Sequence, residues 1–120
     1  MDVDSIRNYC LAKKGVTEEL PFGPDALVFK VMGKMFALAA LESIPFKVSL
    51  KCDPEKAVAL RDEYPDQIEG AYHMNKRHWN SLKVEHLPPR LVQQLIDHSY
   101  SLVVSGLTKK LQQELKNLEN

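Results

Sequence analysis

Apolar residues recur three or four positions apart in four segments of this 120-residue chain, which is the spacing of an amphipathic helix. Each segment starts at a capping residue or a proline, and the first three end at a glycine or a proline. The pattern predicts helices over residues 2–14, 53–64, 88–105 and 108–118.

Alternation with period two predicts β-strands between the first two helices. Residues 27–32 and 35–41 flank a Gly-Lys pair of hairpin length, and residues 46–51 form a third strand. The third strand has an apolar and a polar face, which is typical of a sheet covered on one side only. The two sets are Phe46, Val48 and Leu50 against Lys47, Ser49 and Lys51.

The rest of the chain adds one more predicted strand, at 81–85, where apolar and polar residues alternate again. Residues 17–25 are interpreted as a loop, because two prolines and a glycine interrupt any regular ladder. Residues 66–80 have no clear period and are interpreted as a loop with a short strand or turn. The order of elements therefore predicts one α+β domain over residues 1–120, an antiparallel β-sheet with helices packed on one face.

Composition limits the function classes. Sixteen basic and sixteen acidic side chains cancel, so no global field attracts nucleic acid or a membrane surface. No apolar run reaches the ~18–20 residues of a membrane span, and the N-terminus lacks the build of a signal peptide. Cys10 and Cys52 have neither disulfide nor zinc-ligand spacing and are expected to be reduced, buried thiols. We expect a cytoplasmic protein.

Residues 71–80 concentrate the chemistry of the chain. The segment Ala-Tyr-His-Met-Asn-Lys-Arg-His-Trp-Asn contains the only tryptophan, two of the four histidines and two adjacent cations. Lys76 and Arg77 suit phosphate groups, and Asn75 and His78 suit hydrogen bonds. Trp79 suits stacking on a base or another ring. The segment is therefore the candidate site.

A structural interpretation of the same segment competes with the functional one. Tyr72 and Trp79 could be core anchors of a long loop, because large aromatic residues are usually well buried. His73 and Asn75 would then satisfy backbone groups that no ladder pairs. Lys76 and Arg77 would lie in a solvated turn.

No metal-binding or catalytic pattern accompanies the segment. His73 and His78 are five residues apart and do not share a helix face, and no other histidine or cysteine has a useful ligand spacing. The sequence also lacks a G-x-S-x-G motif, a P-loop and a dinucleotide fingerprint. We therefore expect no metal, no cofactor and no enzymatic activity.

Short matches along nearly the whole chain resemble the MmcQ/YjbR-like family of small bacterial proteins. They include Gly-Val-Thr-Glu-Glu-Leu-Pro-Phe-Gly at 15–23, Val-Ser-Leu-Lys-Cys-Asp-Pro-Glu at 48–55 and Ser-Tyr at 99–100. The strongest match is Ala-Tyr-His-Met-Asn-Lys at 71–76, followed by His78-Trp79. Gly70 departs from the proline that the family pattern places before this run, and we expect that change to loosen the turn without touching a proposed contact.

The resemblance implies a CyaY- or frataxin-like α/β sandwich, also described as a double-wing fold, with proposed DNA binding. That functional label is an analogy between folds. Lys47 and Lys51, on the polar face of the third strand, would extend a basic surface beside the polar cluster of the family. Carried over to this chain, the cluster consists of Tyr72, His73, Asn75, Lys76, His78 and Trp79.

Three hypotheses follow, and the leading one is a monomeric DNA-binding protein that uses this basic and aromatic loop, including Arg77, and the exposed sheet face. The second is a non-catalytic domain that binds a protein or a small ligand in a pocket. A concave arrangement of the same side chains distinguishes it from the first. The third, an enzyme, requires a histidine within hydrogen-bond reach of Cys52 or a carboxylate. A frataxin-like metal role has the least support, because the first helix is not acidic.

Overall fold

The computed structural model describes residues 1–71 and 74–119. Within these ranges it contains a six-stranded sheet and four α-helices, and a 3-10 turn at Val84–His86 precedes the third helix. The elements are α1 (Val3–Leu11), β1 (Val16–Glu19), β2 (Ala26–Val31), β3 (Lys34–Ala40), β4 (Lys47–Lys51), α2 (Pro54–Glu63), β5 (Ile68–Gly70), β6 (Trp79–Leu82), α3 (Pro89–Ser105) and α4 (Lys109–Lys116).

The helices pack on one face of an antiparallel sheet. The strands lie in the order β1-β2-β3-β4-β6-β5, and every neighbouring pair is antiparallel. Helix α3 crosses β2, β3 and β4, whereas α1 contacts β1 and α2 contacts β5. The predicted α+β architecture is confirmed, and the four predicted helices lie where apolar spacing placed them.

One segment that the sequence predicts as a loop contains a strand, and the short strand or turn expected within residues 66–80 is β5. Val16–Glu19 pairs with β2, so the prediction of a loop from residue 17 is wrong. The two prolines and the glycine come after Glu19, where they end the strand instead of preventing it. Strand β6 covers 79–82 instead of 81–85, because its partner on β4 runs to Lys51, which lies opposite Trp79.

A bulge in β3 decides which side chains reach each face of the sheet. Phe29 pairs with Ala37, but the next residue of β2, Lys30, pairs with Met35. Phe36 is therefore an extra residue on β3. Phe36 and Ala37 are both fully buried in the core, and Met35 is left on the opposite face.

The face opposite the helices, here called the open face, is amphipathic. The predicted alternation on β4 is confirmed, since Phe46, Val48 and Leu50 belong to the core. The intervening positions of β4 and β6 and the outward positions of β3 form the open face: Met35, Leu38, Ala40, Lys47, Ser49, Lys51, Trp79 and Ser81. The face therefore has an apolar side on β3 and polar groups on β4 and β6.

The two thiols and the helix lengths complete the description. Cys10 and Cys52 are free and buried, as the sequence predicts. Over the two described ranges, no helix combines the length and the apolar character that crossing a membrane would require.

Candidate functional site

A groove of about 720 Å³ lies on the open face. Its floor is formed by β3, β4 and β6, and residues from the β1–β2 connection and from the segment after Ala71 add to the lining. We call it the sheet groove. It is lined by Phe22, Met35, Leu38, Ala40, Lys47, Ser49, Glu69, Met74, Asn75, Trp79 and Ser81.

Strand register aligns the polar groups of the sheet groove in one row. Leu38 pairs with Ser49, Ser49 with Ser81, and Ser81 with Glu69. The hydroxyl oxygens of Ser49 and Ser81 are 2.9 Å apart, so one hydroxyl donates to the other. One O–H and several lone pairs of this hydroxyl pair remain for a ligand.

The positive charge of Lys47 is compensated by an acidic side chain within the sheet groove. Its Nζ lies 3.0 Å from Oε1 of Glu69, and both side chains are partly exposed. Such a surface pair is worth only ~0–1 kcal/mol, but it cancels the local charge. The basic surface that the sequence predicts beside the loop therefore does not continue through Lys47.

Trp79 lies on the open face and is half-buried. It contributes one side of the sheet groove together with Met74 and Asn75. The side chain is a groove wall with solvent access, whereas a core anchor would be enclosed. A ligand in the groove would therefore contact the only tryptophan of the chain.

The two adjacent cations of the loop belong to a different depression. Lys76 and Arg77 line an open cleft of about 580 Å³ beside α2, here called the α2 cleft. Arg61 joins them there, and Glu55 is the acidic residue of the lining. Residues 74–79 therefore present Asn75 and Trp79 to one cavity and their cations to another.

Arg61 fastens the segment between the two cavities, a role that no pattern in the sequence indicates. Its Nη1 donates to the carbonyl oxygen of Lys76 (2.8 Å) and to Oδ1 of Asn80 (3.1 Å). Asn80 is buried, and its Nδ2 donates to the carbonyl oxygen of Ala57 (3.2 Å). The side chains of Arg61 on α2 and Asn80 on β6 thus attach residues 76–80 to helix α2.

Gly70 is in contact with this arrangement. A Cβ atom at residue 70 would lie 3.1 Å from the Cβ and Cγ atoms of Lys76 and 3.2 Å from Nη1 of Arg61. The expectation that Gly70 touches no proposed contact is therefore wrong. Because Gly70 has no side chain, the side chains of Lys76 and Arg61 can approach its backbone closely.

The remaining residues of the predicted site are not gathered with these. His78 is fixed through its backbone, whose carbonyl accepts from the N–H of Cys52 (2.8 Å), and it lines neither cavity. Lys51 is half-buried and lies on the open face, as predicted, opposite Trp79, but it belongs to neither lining. Tyr72 and His73 lie outside the described residues.

Several lining residues of the sheet groove were missed in the sequence analysis. Ser49 was placed on the polar face of its strand but not assigned a role. Phe22 and Met74 come from segments without periodicity, which gave no signal of their position. Met35 and Leu38 share the face only because of the bulge, which alternation alone cannot reveal.

Three observations in the described part of the chain concern the catalytic and metal-binding alternatives. Burial raises the pKa of the Cys52 thiol, which disfavours the reactive thiolate. Nε2 of His98 accepts a hydrogen bond from the backbone N–H of Asp53 (3.2 Å). Over residues 1–71 and 74–119, no three His, Cys, Asp or Glu side chains are grouped as a metal site.

The sequence profile of the YjbR family matches residues 11–102 of the chain. The chain belongs to the YjbR family. Among its YjbR-family relatives, the uncharacterised protein YbdF of Escherichia coli O157:H7 is 43% identical over 98 residues, which cover 80% of this chain and 79% of that protein. The uncharacterised protein YjbR of Escherichia coli K12 is 32% identical over 120 residues, 98% of this chain and 100% of that protein.

Two crystal structures share the YjbR-family fold described above. Deinococcus radiodurans protein DR2400, with a DUF419 domain, superposes with a TM-score of 0.88 at 37% identity, over 95% of this chain and 87% of that one. A Pseudomonas syringae protein gives a TM-score of 0.72 at 27% identity, over 85% and 98% of the two chains.

Proposed function

We propose that this protein is a monomeric, non-catalytic domain that binds a small molecule in the sheet groove. The observation that carries the proposal is concavity. Asn75 and Trp79 from the loop converge with Lys47 of β4 on one cavity. Its volume, about 720 Å³, lies within the ~300–1,000 Å³ of ordinary ligand sites. One chain supplies the whole lining, so the proposal needs no second copy.

The proposal is tested by following Trp79 during a screen of small molecules. The single indole N–H signal in a ¹⁵N spectrum reports on the groove directly, because the chain has one tryptophan. A ligand should shift this signal with a saturable dependence on concentration. Leu38→Glu, which puts a charge on the apolar floor, should weaken binding at least tenfold.

The matched control for Leu38→Glu is Leu20→Glu, another leucine, exposed outside the groove lining. It should bind as the original protein does. If compounds that shift the Trp79 signal bind equally well to the Leu38→Glu protein, the groove is not their site and the proposal fails. The backbone spectrum of each variant verifies that it is folded.

DNA binding is the second candidate, and one observation favours it. Among the described residues that line the α2 cleft, three are cations, Arg61, Lys76 and Arg77, and one is acidic, Glu55. Phosphate contacts of this kind give affinity that falls steeply with salt. The candidate is weaker than the first, because the Lys47–Glu69 pair interrupts the cationic surface.

A DNA-binding assay on two double variants tests the second candidate. Binding of a fluorescent duplex at 50 mM salt should weaken with Lys76→Ala and Arg77→Ala together, uniformly across sequences. The control, Lys109→Ala with Lys110→Ala, removes the same number of charges from the exposed start of α4. Its affinity for the duplex should stay within twofold of that of the original protein. Equal losses in both double variants would attribute binding to net charge and discount the cleft.

A further inference from the structure

We infer that the sheet groove selects an uncharged, flat and mainly apolar molecule that carries one hydrogen-bonding group. The inference rests on the proposed function and names the class of ligand. It follows from the charge balance, the apolar sides and the hydroxyl pair of the groove.

The charge balance argues against an ion as the ligand. Among the described residues of the lining, the charged side chains are Lys47 and Glu69, and they pair with each other at 3.0 Å. A ligand carboxylate or phosphate would have to share Lys47 with Glu69, which already compensates its charge. It would also lose hydration against the apolar floor, where an unpaired charge is costly. A neutral ligand meets neither cost.

The sides of the groove suit a flat ring. Trp79 presents a half-buried indole on β6, and Leu38 and Met35 lie across the floor on β3. Indole faces stack well with other aromatic rings, and thioether side chains contact ring edges favourably. Met74 adds a second thioether to the lining.

The hydroxyl pair supplies the polar contact. Ser49 and Ser81 lie next to Leu38 in the same row of the sheet, and their oxygens are 2.9 Å apart. The pair can donate one hydrogen bond and accept another without losing its internal bond. A ligand without a polar group would leave this capacity unused, so the pair favours a ligand with a hydroxyl, an amide or a carbonyl.

Three probes with the same ring system test the inference on the full chain at pH 7: naphthalene, 2-naphthol and 2-naphthoate. The first lacks a polar group, the second carries an uncharged hydroxyl and the third a carboxylate. Dissociation constants are measured from the Trp79 indole signal and from the methyl signals of Met35 and Met74. We expect 2-naphthol to bind at least threefold more tightly than naphthalene and at least tenfold more tightly than 2-naphthoate.

The double variant Ser49→Ala with Ser81→Ala assigns the polar contact. Both partners of the hydrogen bond are removed together, so no hydroxyl is left unpaired and the variant should fold. The advantage of 2-naphthol over naphthalene should disappear, while the affinity for naphthalene stays within twofold. Ser101→Ala with Ser105→Ala, two exposed positions on α3, is the control and should preserve the advantage.

The outcomes separate the inference from the proposed function. Tighter binding of 2-naphthoate than of 2-naphthol would mean that Lys47 attracts a ligand anion in spite of Glu69, and it would overturn the inference while the groove remains a binding site. Equal affinities for all three probes would overturn it too. If no probe shifts the groove signals at saturating concentration, both the inference and the proposed function fail.

Discussion

Arg61 and Asn80 position the segment that separates the two cavities. Arg61 reaches from α2 to the carbonyl oxygen of Lys76, and Asn80 is the buried group to which it is anchored. Backbone outside regular structure needs such partners, because a buried polar group without one is costly. The position of Asn75 at the groove therefore depends on a side chain that lines the opposite cleft.

Arg61→Ala should loosen this segment and reduce overall stability. The substitution removes both hydrogen bonds and leaves Oδ1 of the buried Asn80 without a partner, which costs about 1–3 kcal/mol. Trypsin should cut more rapidly after Lys76 and Arg77 under native conditions. Urea unfolding and limited proteolysis measure the two effects. Asp62→Ala, an exposed neighbour on α2, is the control, and an unchanged cleavage rate for Arg61→Ala would contradict the clamp.

Individual residues were predicted well where their chemistry is local. The sequence placed Lys47 and Ser49 on the outer face of their strand because period two decides the face directly. It could not pair Lys47 with Glu69, since the two residues meet only when β4, β6 and β5 are adjacent. Nor could it predict that Lys76 and Asn75 line different cavities, because a loop without periodicity does not show which way adjacent side chains point.

At the scale of elements, Ser99 joins α3 to the bulge of β3. Its Oγ donates to the carbonyl oxygen of Phe36 (2.6 Å) and accepts from the N–H of Lys51 (2.9 Å). The bulged residue has no regular ladder partner, and a helix hydroxyl serves instead. Ser99 is fully buried, so the position tolerates a polar side chain only because both bonds are made.

Ser99→Ala should destabilise the protein by about 2–4 kcal/mol, because the Phe36 carbonyl and the Lys51 N–H both lose their partner. Ser101→Ala removes an exposed hydroxyl from the same helix and should change the free energy of unfolding by no more than about 0.5 kcal/mol. Chemical denaturation of the two variants gives the comparison. Similar values for both would show that water replaces Ser99 at the bulge.

Elements were predicted reliably where local signals were strong. The cap and proline at Asp53 and Pro54 and the Thr108 cap mark helix starts that the structure reproduces. Strand β1 was missed, and β5 was expected only as an unplaced short strand or turn within residues 66–80, because each has four residues or fewer and owes its conformation to a partner strand. Short edge strands of this kind carry little intrinsic preference, so context decides.

At the scale of the molecule, one sheet separates a core on the helix side from a groove on the open side. The sequence predicted the covered face, because apolar residues of four helices need a surface to bury. It did not predict that the other face is a groove, since that shape depends on loops at both sides. The family resemblance was also correct, whereas the DNA-binding hypothesis that came with it rests on separate cations in the α2 cleft.

The core also sets how the whole molecule responds to alkaline pH. Cys10 lies on α1 and is fully buried in the core, and burial raises the pKa of its thiol to about 12 from an ordinary value of 9.0. An unfolded chain loses this proton near pH 9, whereas the folded chain keeps it. The unfolded state is therefore favoured increasingly as pH rises above 9, and the stability that the neutral thiol contributes is fully present only below that pH.

Comparison with Cys10→Ala isolates this contribution. The variant should be less stable at pH 7, by about 1 kcal/mol or more, because a smaller side chain leaves a cavity. The difference in free energy of unfolding should move in favour of the variant by about 2–3 kcal/mol between pH 9 and pH 11, since one pKa unit corresponds to about 1.4 kcal/mol. Tyr100, whose pKa burial also raises, titrates in both proteins and cancels in the difference, whereas Tyr9, whose pKa is raised by burial and in part by Cys10, contributes to the difference. Urea unfolding with a reductant present at several pH values gives the two curves, and a difference that stays constant from pH 7 to pH 11 would show that the thiol is not protected from ionisation.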